Sequence, residues 1–139
     1  MSVQAKPTAP AKKLEAALAK VAARYPEATE DHPWGHRAMK VRGKTFAWIT
    51  ADGPNVTLTV KLPRTRHQAL MLPNAAPTEY GLGKSGWVTV TLRPPATKLR
   101  AQCEEWLDES YKAVAPKTLV RQVEVGKREA GGGKRKLTG

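Results

Sequence analysis

The sequence predicts an α+β fold, a two-layer sandwich in which an antiparallel sheet carries the N- and C-terminal helices on one face. Three observations lead to this prediction. Apolar residues recur at helical spacing near both ends of the chain, they alternate with polar residues in the middle, and short turns rich in Gly, Pro or Asn separate the alternating runs. Strands joined by short turns pair antiparallel, so the helices are expected to cover the apolar face.

The first helical pattern begins at Pro10, where Leu14, Leu18 and Val21 follow at helical spacing, and Pro26 ends it. The segment at residues 31–36 is then expected to be a loop. Further along the chain, residues 64–72 suit a short helix. A long helix is expected to begin at Thr97, whose hydroxyl suits an N-cap, and residues 117–125 form a last helical piece.

Four alternating runs predict the strands, at residues 37–42, 45–50, 56–62 and 87–92. In the third run, Thr57, Thr59 and Lys61 are expected to point outward, away from the helices. The fourth run directs its valines inward and Trp87, Thr89 and Thr91 outward. For the second run two phases stay open, since Phe46 and Trp48 either share the outer face or lie together in the core.

The length of 139 residues predicts one domain. Residues 1–9 are expected to be a disordered N-terminal segment, residues 10–125 the α+β domain, and residues 126–139 a disordered, basic, Gly-rich tail. Lys and Glu interrupt the first apolar stretch, so we expect neither a signal peptide nor a membrane partner. A single cysteine fits a reducing compartment, and the expected location is cytoplasmic.

Basic residues outnumber acidic ones, with 24 Lys and Arg against 12 Asp and Glu, for a formal net charge of +12. The excess is uneven, because residues 37–66 hold seven basic residues against Asp52 alone. Polyanions are the natural partners of such a stretch. A solvated basic face that only aids solubility is the competing interpretation, and the two weigh about evenly.

Glycines at positions 81, 83 and 86 spell the G-x-G-x-x-G of dinucleotide sites, and Gly83-Lys84-Ser85 matches the end of a P-loop. Both motifs require a helix after the glycines. Here a predicted strand follows, and Thr78 occupies the position of the first P-loop glycine. We therefore expect a tight turn that enters a strand, with Lys84 exposed at its tip.

No set of residues predicts catalysis, a cofactor or a metal site. His32 and His36 are four residues apart, but the Pro and Gly between them argue against a helix that would align them. Cys103 lies on the apolar stripe of the long helix and is expected to be inert core. The acidic residues of that helix have no neighbouring His, so a non-enzymatic protein is expected.

The sequence predicts a nucleic-acid-binding protein of low sequence specificity, with DNA the expected partner. Cations on turns and one strand face would contact phosphates, and an outward Trp would stack on bases. The expected phosphate contacts are Lys40, Arg42, Lys44, Lys61, Arg64, Arg66 and Lys84, and the candidate stacking group is Trp87.

The alternative is a module that binds a small anion or a protein, in a pocket beside the turn at residues 81–87. Trp34, Lys61, Lys84 and Trp87 would line that pocket. The choice between DNA and RNA stays open, as does the oligomeric state, for which a monomer is favoured.

Five segments, taken in order, resemble the MmcQ/YjbR family of small bacterial proteins over about residues 14–124. They are Pro33-Trp-Gly35, Lys40-Val-Arg-Gly-Lys44, Lys61-Leu-Pro63, Gly81-Leu-Gly-Lys-Ser-Gly-Trp87 and Ser110-Tyr-Lys-Ala-Val-Ala-Pro-Lys117. The resemblance implies a frataxin-like (CyaY-like) domain and no assigned catalytic residue. It also implies DNA binding through a double-wing arrangement of hairpins. Iron handling, the rival use of a frataxin-like fold, needs an acidic ridge, whereas this predicted sheet is basic.

Overall fold

The computed structural model describes residues 6–33, 36–79 and 82–126 of the chain. The elements in chain order are α1 (Ala9–Ala23), β1 (Ala28–Asp31), β2 (Arg37–Val41), β3 (Lys44–Asp52), β4 (Asn55–Lys61), α2 (Arg66–Leu70), β5 (Ala75–Pro77), β6 (Trp87–Leu92), α3 (Arg100–Val114) and a last helix, α4, at residues 117–126. Short 3₁₀ segments, Leu82–Ser85 and Thr97–Leu99, precede β6 and α3. The predicted α+β class is confirmed. Among the helices described here, none is both long and apolar enough to cross a membrane.

The six strands form one antiparallel sheet in the order β1-β2-β3-β4-β6-β5. The two outermost strands, β1 and β5, are absent from the sequence prediction, which placed strands only at residues 37–42, 45–50, 56–62 and 87–92. Both strands are short, and most of their residues are exposed. An edge strand that buries so little carries no apolar alternation, so its sequence resembles a loop.

The core lies between one face of the sheet and the helices. Val56, Leu58 and Val60 of β4 are fully buried, while the residues between them stay partly exposed, as predicted. Leu18 of α1 and Leu107 of α3 belong to the same apolar cluster. Both α1 and α3 therefore cover the same face, and on the opposite face the outward side chains of β4 and β6 stay at least partly exposed.

A β-bulge separates Phe46 from Trp48. Met39 pairs with Ala47, but the next residue of β2, Lys40, pairs with Thr45, so Phe46 is an extra residue on β3. Its ring is buried in the core, 5.2 Å from the ring of Tyr111. Trp48 is only partly buried on the outer face, so neither of the two predicted phases, which kept these rings together, is correct.

The helix starts differ in how they are capped. Thr8 caps α1, because its Oγ1 accepts a hydrogen bond from the Ala11 amide at 3.3 Å. The amide of Thr8 also donates a hydrogen bond to the Gly53 carbonyl at 2.9 Å. The predicted Thr97 cap of the long helix is wrong. Thr97 opens the 3₁₀ segment instead, and Leu99 precedes α3 without a side-chain cap.

Candidate nucleic-acid interface

The antiparallel topology gathers the predicted cations near one end of the sheet. At this end β2 and β4 finish and β3 and β6 begin. Lys40 and Arg42 lie at the end of β2, Lys44 begins β3, Lys61 ends β4, Arg64 and Arg66 follow it, and Lys84 lies just before β6. Residues far apart in sequence thus share one end of the molecule, but they lie on different faces of it.

Lys61 and Trp87 occupy the outer face, directly opposite each other on β4 and β6. Both side chains are partly exposed. Residues directly opposite on an antiparallel pair have Cβ atoms about 5 Å apart. A cation and an aromatic ring are therefore neighbours on the outer face of the sheet.

The turn before β6 adds two more cations. Lys84 is exposed on the Leu82–Ser85 segment, and the Arg66 guanidinium donates a hydrogen bond to the Gly83 carbonyl at 3.3 Å. Among the described residues, no carboxylate lies within ion-pair distance of Lys61, Arg66 or Lys84. We call these three cations together with Trp87 the basic patch.

Close packing, rather than room for a ligand, explains the glycine at position 83. A Cβ on Gly83 would lie 2.8 Å from the Pro77 Cβ and 3.1 Å from the Thr78 carbonyl oxygen. The Gly83 amide instead donates to that oxygen at 3.0 Å. The segment is a short turn followed by a strand, as the sequence predicts; Gly81 lies outside the described residues.

Lys40 and Arg42 are held by carboxylates. The Lys40 ammonium lies 3.2 Å from Asp31, and two nitrogens of Arg42 contact Glu27 at 2.5 and 2.9 Å. The hydrogen bond from Lys40 lowers the pKa of Asp31, and the hydrogen bonds from Arg42 lower the pKa of Glu27. These two cations would have to leave a partner before they contact a phosphate.

Lys44 and Arg64 leave the outer face altogether. Lys44 is exposed and pairs with Val41, a core residue, so its side chain starts from the helix-facing side of the hairpin. Arg64 lines a cleft of about 800 Å³ between the helices and the end of β4. The carboxylates that line this cleft are Glu104, Glu105, Asp108, Glu109 and Glu124.

Threonine hydroxyls cover the middle of the outer face. Thr59 and Thr89 pair across β4 and β6 with their Oγ1 atoms 2.9 Å apart, and Thr78 extends this chain at 3.0 Å from Thr89. Trp48 lies directly opposite Thr59 on the next strand. Between its charged ends, the outer face therefore carries neutral hydroxyl groups that can form hydrogen bonds, and the partly exposed ring of Trp48 lies beside them.

A second pair of cations, absent from the sequence prediction, lies at the other end of β6. Arg93 and Lys98 are exposed and line a cavity of about 400 Å³ together with Thr91 and Thr97. Pro94 and Pro95 lie between the two cations in the sequence and end the strand. The return of the chain toward α3 brings Lys98 beside Arg93, which spacing alone does not reveal.

The structure offers no support for a reactive cysteine or a metal site among the described residues. Cys103 is buried, and burial raises the pKa of its thiol to about 11, so it is inert core as expected. Within residues 6–33, 36–79 and 82–126, no group of three or more His, Cys, Asp or Glu is arranged to hold a metal ion. Trp34, predicted to line a pocket beside the turn, lies outside the described residues.

One comparison with known proteins identifies a family. A family model described as YjbR matches residues 23–113, from the end of α1 to the last turn of α3, so it includes the whole sheet and the basic patch. No curated protein matches the chain.

Proposed function

We propose that the chain, which belongs to the YjbR family, binds nucleic acid through the basic patch with little dependence on sequence. DNA is the expected partner. Contacts to phosphate carry no sequence information by themselves, so a patch of cations positions a nucleic acid without reading it.

The observation that carries the proposal is that Lys61, Arg66 and Lys84 have no carboxylate within ion-pair distance among the described residues. A phosphate can approach these cations without displacing a carboxylate of the described residues, although the Arg66 guanidinium also donates a hydrogen bond to the Gly83 carbonyl. Lys40 and Arg42 contribute less in this proposal, because Asp31 and Glu27 already hold them. Trp87 offers a ring directly opposite Lys61.

The test is the salt dependence of binding, measured by fluorescence anisotropy with a labelled DNA. Each phosphate contact contributes a slope of about −0.9 to the log–log plot of affinity against salt on duplex, and about −0.7 on a single strand. The double variant Lys61→Ala/Lys84→Ala should therefore have a slope shallower by about 1.4 to 1.8. Lys12→Ala/Lys20→Ala removes the same charge from exposed positions on α1 and should leave the slope close to that of the native chain.

The basic tail needs its own control in the full chain, because its cations could hold DNA by themselves. A variant with Ala at all of these positions supplies it: Lys127, Arg128, Lys134, Arg135 and Lys136. If the tail variant loses all binding while the patch variant binds as the native chain does, the basic patch is not the site.

The same unpaired cations favour a second candidate, a module that binds a small anion beside the turn. Lys61, Lys84 and Trp87 would hold an anionic group there. A specific small ligand raises the melting temperature in a saturable way by mass action. A thermal-shift screen with nucleotides and organic acids therefore distinguishes this candidate from DNA, whose effect weakens as salt is added.

A further inference from the structure

We infer that the nucleic acid is single-stranded and that it crosses the outer face of the sheet, from the basic patch to Arg93 and Lys98. This inference rests on the proposed function and adds to it the class of nucleic acid and its path. Four features of the structure support it: cations at both ends of β6, a neutral face between them, partly exposed rings on that face, and carboxylates concentrated on the helix side.

The two cationic ends are joined by one strand. Arg93 follows Trp87 by six positions, which at a rise of about 3.3 Å per residue gives about 20 Å. Along this path Thr57, Thr59 and Thr89 occupy the outer face. No acidic residue belongs to the described outer face of β4 or β6. A chain of phosphates that follows these two strands therefore meets no carboxylate of theirs between the two ends.

Arg93 and Lys98 form the far anchor. They line the cavity of about 400 Å³, where Thr91 and Thr97 also contribute to the wall. Among the described residues, neither cation lies within ion-pair distance of a carboxylate. The cavity therefore combines two unpaired cations with hydroxyl groups, which is the chemistry that binds a phosphate.

Trp48 and Trp87 favour a single strand over a duplex. Both rings start from the outer face and are partly exposed. They lie two strands apart and two residues offset, a separation of about 12 Å from the spacings of a sheet. Unpaired bases can stack on such rings, whereas a duplex keeps the faces of its bases inside the helix.

The carboxylates restrict the strand to this side of the molecule. Glu104, Glu105 and Asp108 line the cleft on the helix side, together with Glu124. A polyanion is repelled there and attracted to the cations of the outer face. Asp31, on the edge strand, is paired with Lys40 and does not lie on the path along β4 and β6.

The experiment compares a labelled oligothymidylate of about 15 nucleotides with a duplex of the same length, both bound to the full chain at the same salt concentration. We expect the single strand to bind more tightly and to quench tryptophan fluorescence. Arg93→Ala/Lys98→Ala should make the salt slope for the single strand shallower by about 1.4. Lys12→Ala/Lys20→Ala on α1 is the matched control and should not change it.

Trp87→Leu and Trp48→Leu test the stacking contacts and should each weaken the single strand about tenfold, with much less effect on the duplex. Urea unfolding checks that these variants fold. If a Trp variant does not fold, the test of the inference is Arg93→Ala/Lys98→Ala, which replaces two exposed side chains. If the duplex binds at least as tightly as the single strand, the single-strand inference is wrong and the proposed function stands. The same conclusion follows if Arg93→Ala/Lys98→Ala leaves binding unchanged while Lys61→Ala/Lys84→Ala weakens it. If neither nucleic acid binds, both are wrong.

Discussion

The hydroxyl of Ser110 donates a hydrogen bond to the carbonyl oxygen of Phe46 and accepts one from the backbone amide of Lys61 at 2.7 Å. Phe46 is the extra residue of the β-bulge, where the hydrogen-bond ladder between strands is locally disrupted. A side chain of α3 thus supplies partners to two neighbouring strands at the end of the sheet that carries the basic patch. The same contact fixes the backbone from which the Lys61 side chain starts.

We expect Ser110→Ala to lower the free energy of unfolding by about 1–3 kcal/mol, because it leaves a buried carbonyl and a backbone amide without partners. Urea titration followed by circular dichroism would measure the change, with an unchanged m-value. Ser85→Ala, at an exposed position on the turn, is the matched control and should change stability by less than about 0.5 kcal/mol. Equal effects of the two substitutions would show that the Ser110 hydrogen bonds do not stabilise the fold.

Glu109 performs a similar function one residue earlier on α3. Its carboxylate accepts hydrogen bonds from the amides of Arg64 and Thr65, at 2.7 and 3.1 Å, and from the Thr65 hydroxyl at 2.8 Å. We expect Glu109→Ala to cost about 2–3 kcal/mol of stability and Glu109→Gln to cost less, because the amide retains one acceptor oxygen. Thermal or urea unfolding would measure both.

Glu105→Ala removes an exposed carboxylate one helical turn away and serves as the control for Glu109. It should leave stability nearly unchanged. If Glu109→Ala were no worse than Glu105→Ala, the carboxylate would not be holding the segment between β4 and α2.

The interior of the sheet could be predicted from the sequence, and its edges could not. Strands β4 and β6 bury one face against the helices, so their residues alternate and the alternation fixes which side chains point outward. Strands β1 and β5 lie at the edges and show no such alternation. This omission affects the site, because Asp31, the partner of Lys40, belongs to β1.

The bulge and the far cations were missed for a different reason. A register shift depends on how two strands meet, and nothing in the residues around Phe46 specifies that one of them is extra. Arg93 and Lys98 come together only through the turn between β6 and α3. The gathering of the predicted cations at one end of the sheet, by contrast, follows from the predicted antiparallel order of the strands.

Gly83→Ala tests whether the glycine turn is a packed structural element. The added Cβ would lie 2.8 Å from the Pro77 Cβ, and a proline ring cannot move aside as a flexible side chain does. We expect a loss of about 1–3 kcal/mol in unfolding free energy, the usual cost of overpacking. Gly126→Ala is the control, because its Cβ would meet no atom within 4 Å. If Gly83→Ala were as stable as the control, close packing would not explain this glycine.

Arg42→Gln should raise the pKa of Glu27 toward its ordinary value, because the hydrogen bonds and then the charge of Arg42 keep that pKa low. A carboxyl group with a lowered folded pKa stabilises the protein above its unfolded pKa of about 4.3, and the stabilisation disappears as the pH falls through the folded value. The native chain should lose this contribution in acid, and the variant should lack it at every pH.

Carbon-detected NMR of the Glu27 carboxyl group across an acid titration would measure this pKa directly. Lys44→Gln removes an exposed charge from the same hairpin and serves as the control, since no contact joins Lys44 to Glu27 among the described ion pairs. An equal rise in the Glu27 pKa in both variants would mean that net charge, rather than the Arg42 contact, lowers it.

Cys103 should resist alkylation in the folded protein. Burial raises its pKa from 9.0 to about 11, which reduces the thiolate fraction near neutral pH by about a hundredfold, and the buried thiol is also inaccessible to the reagent. Because the folded pKa is raised, the contribution of Cys103 to stability should be constant below about pH 9 and should fall as the pH rises toward 11. Mass spectrometry after iodoacetamide treatment, with and without denaturant, follows this one cysteine unambiguously. Modification of the folded chain at the rate of the unfolded chain would contradict the buried position and would mean that α3 detaches from the sheet readily.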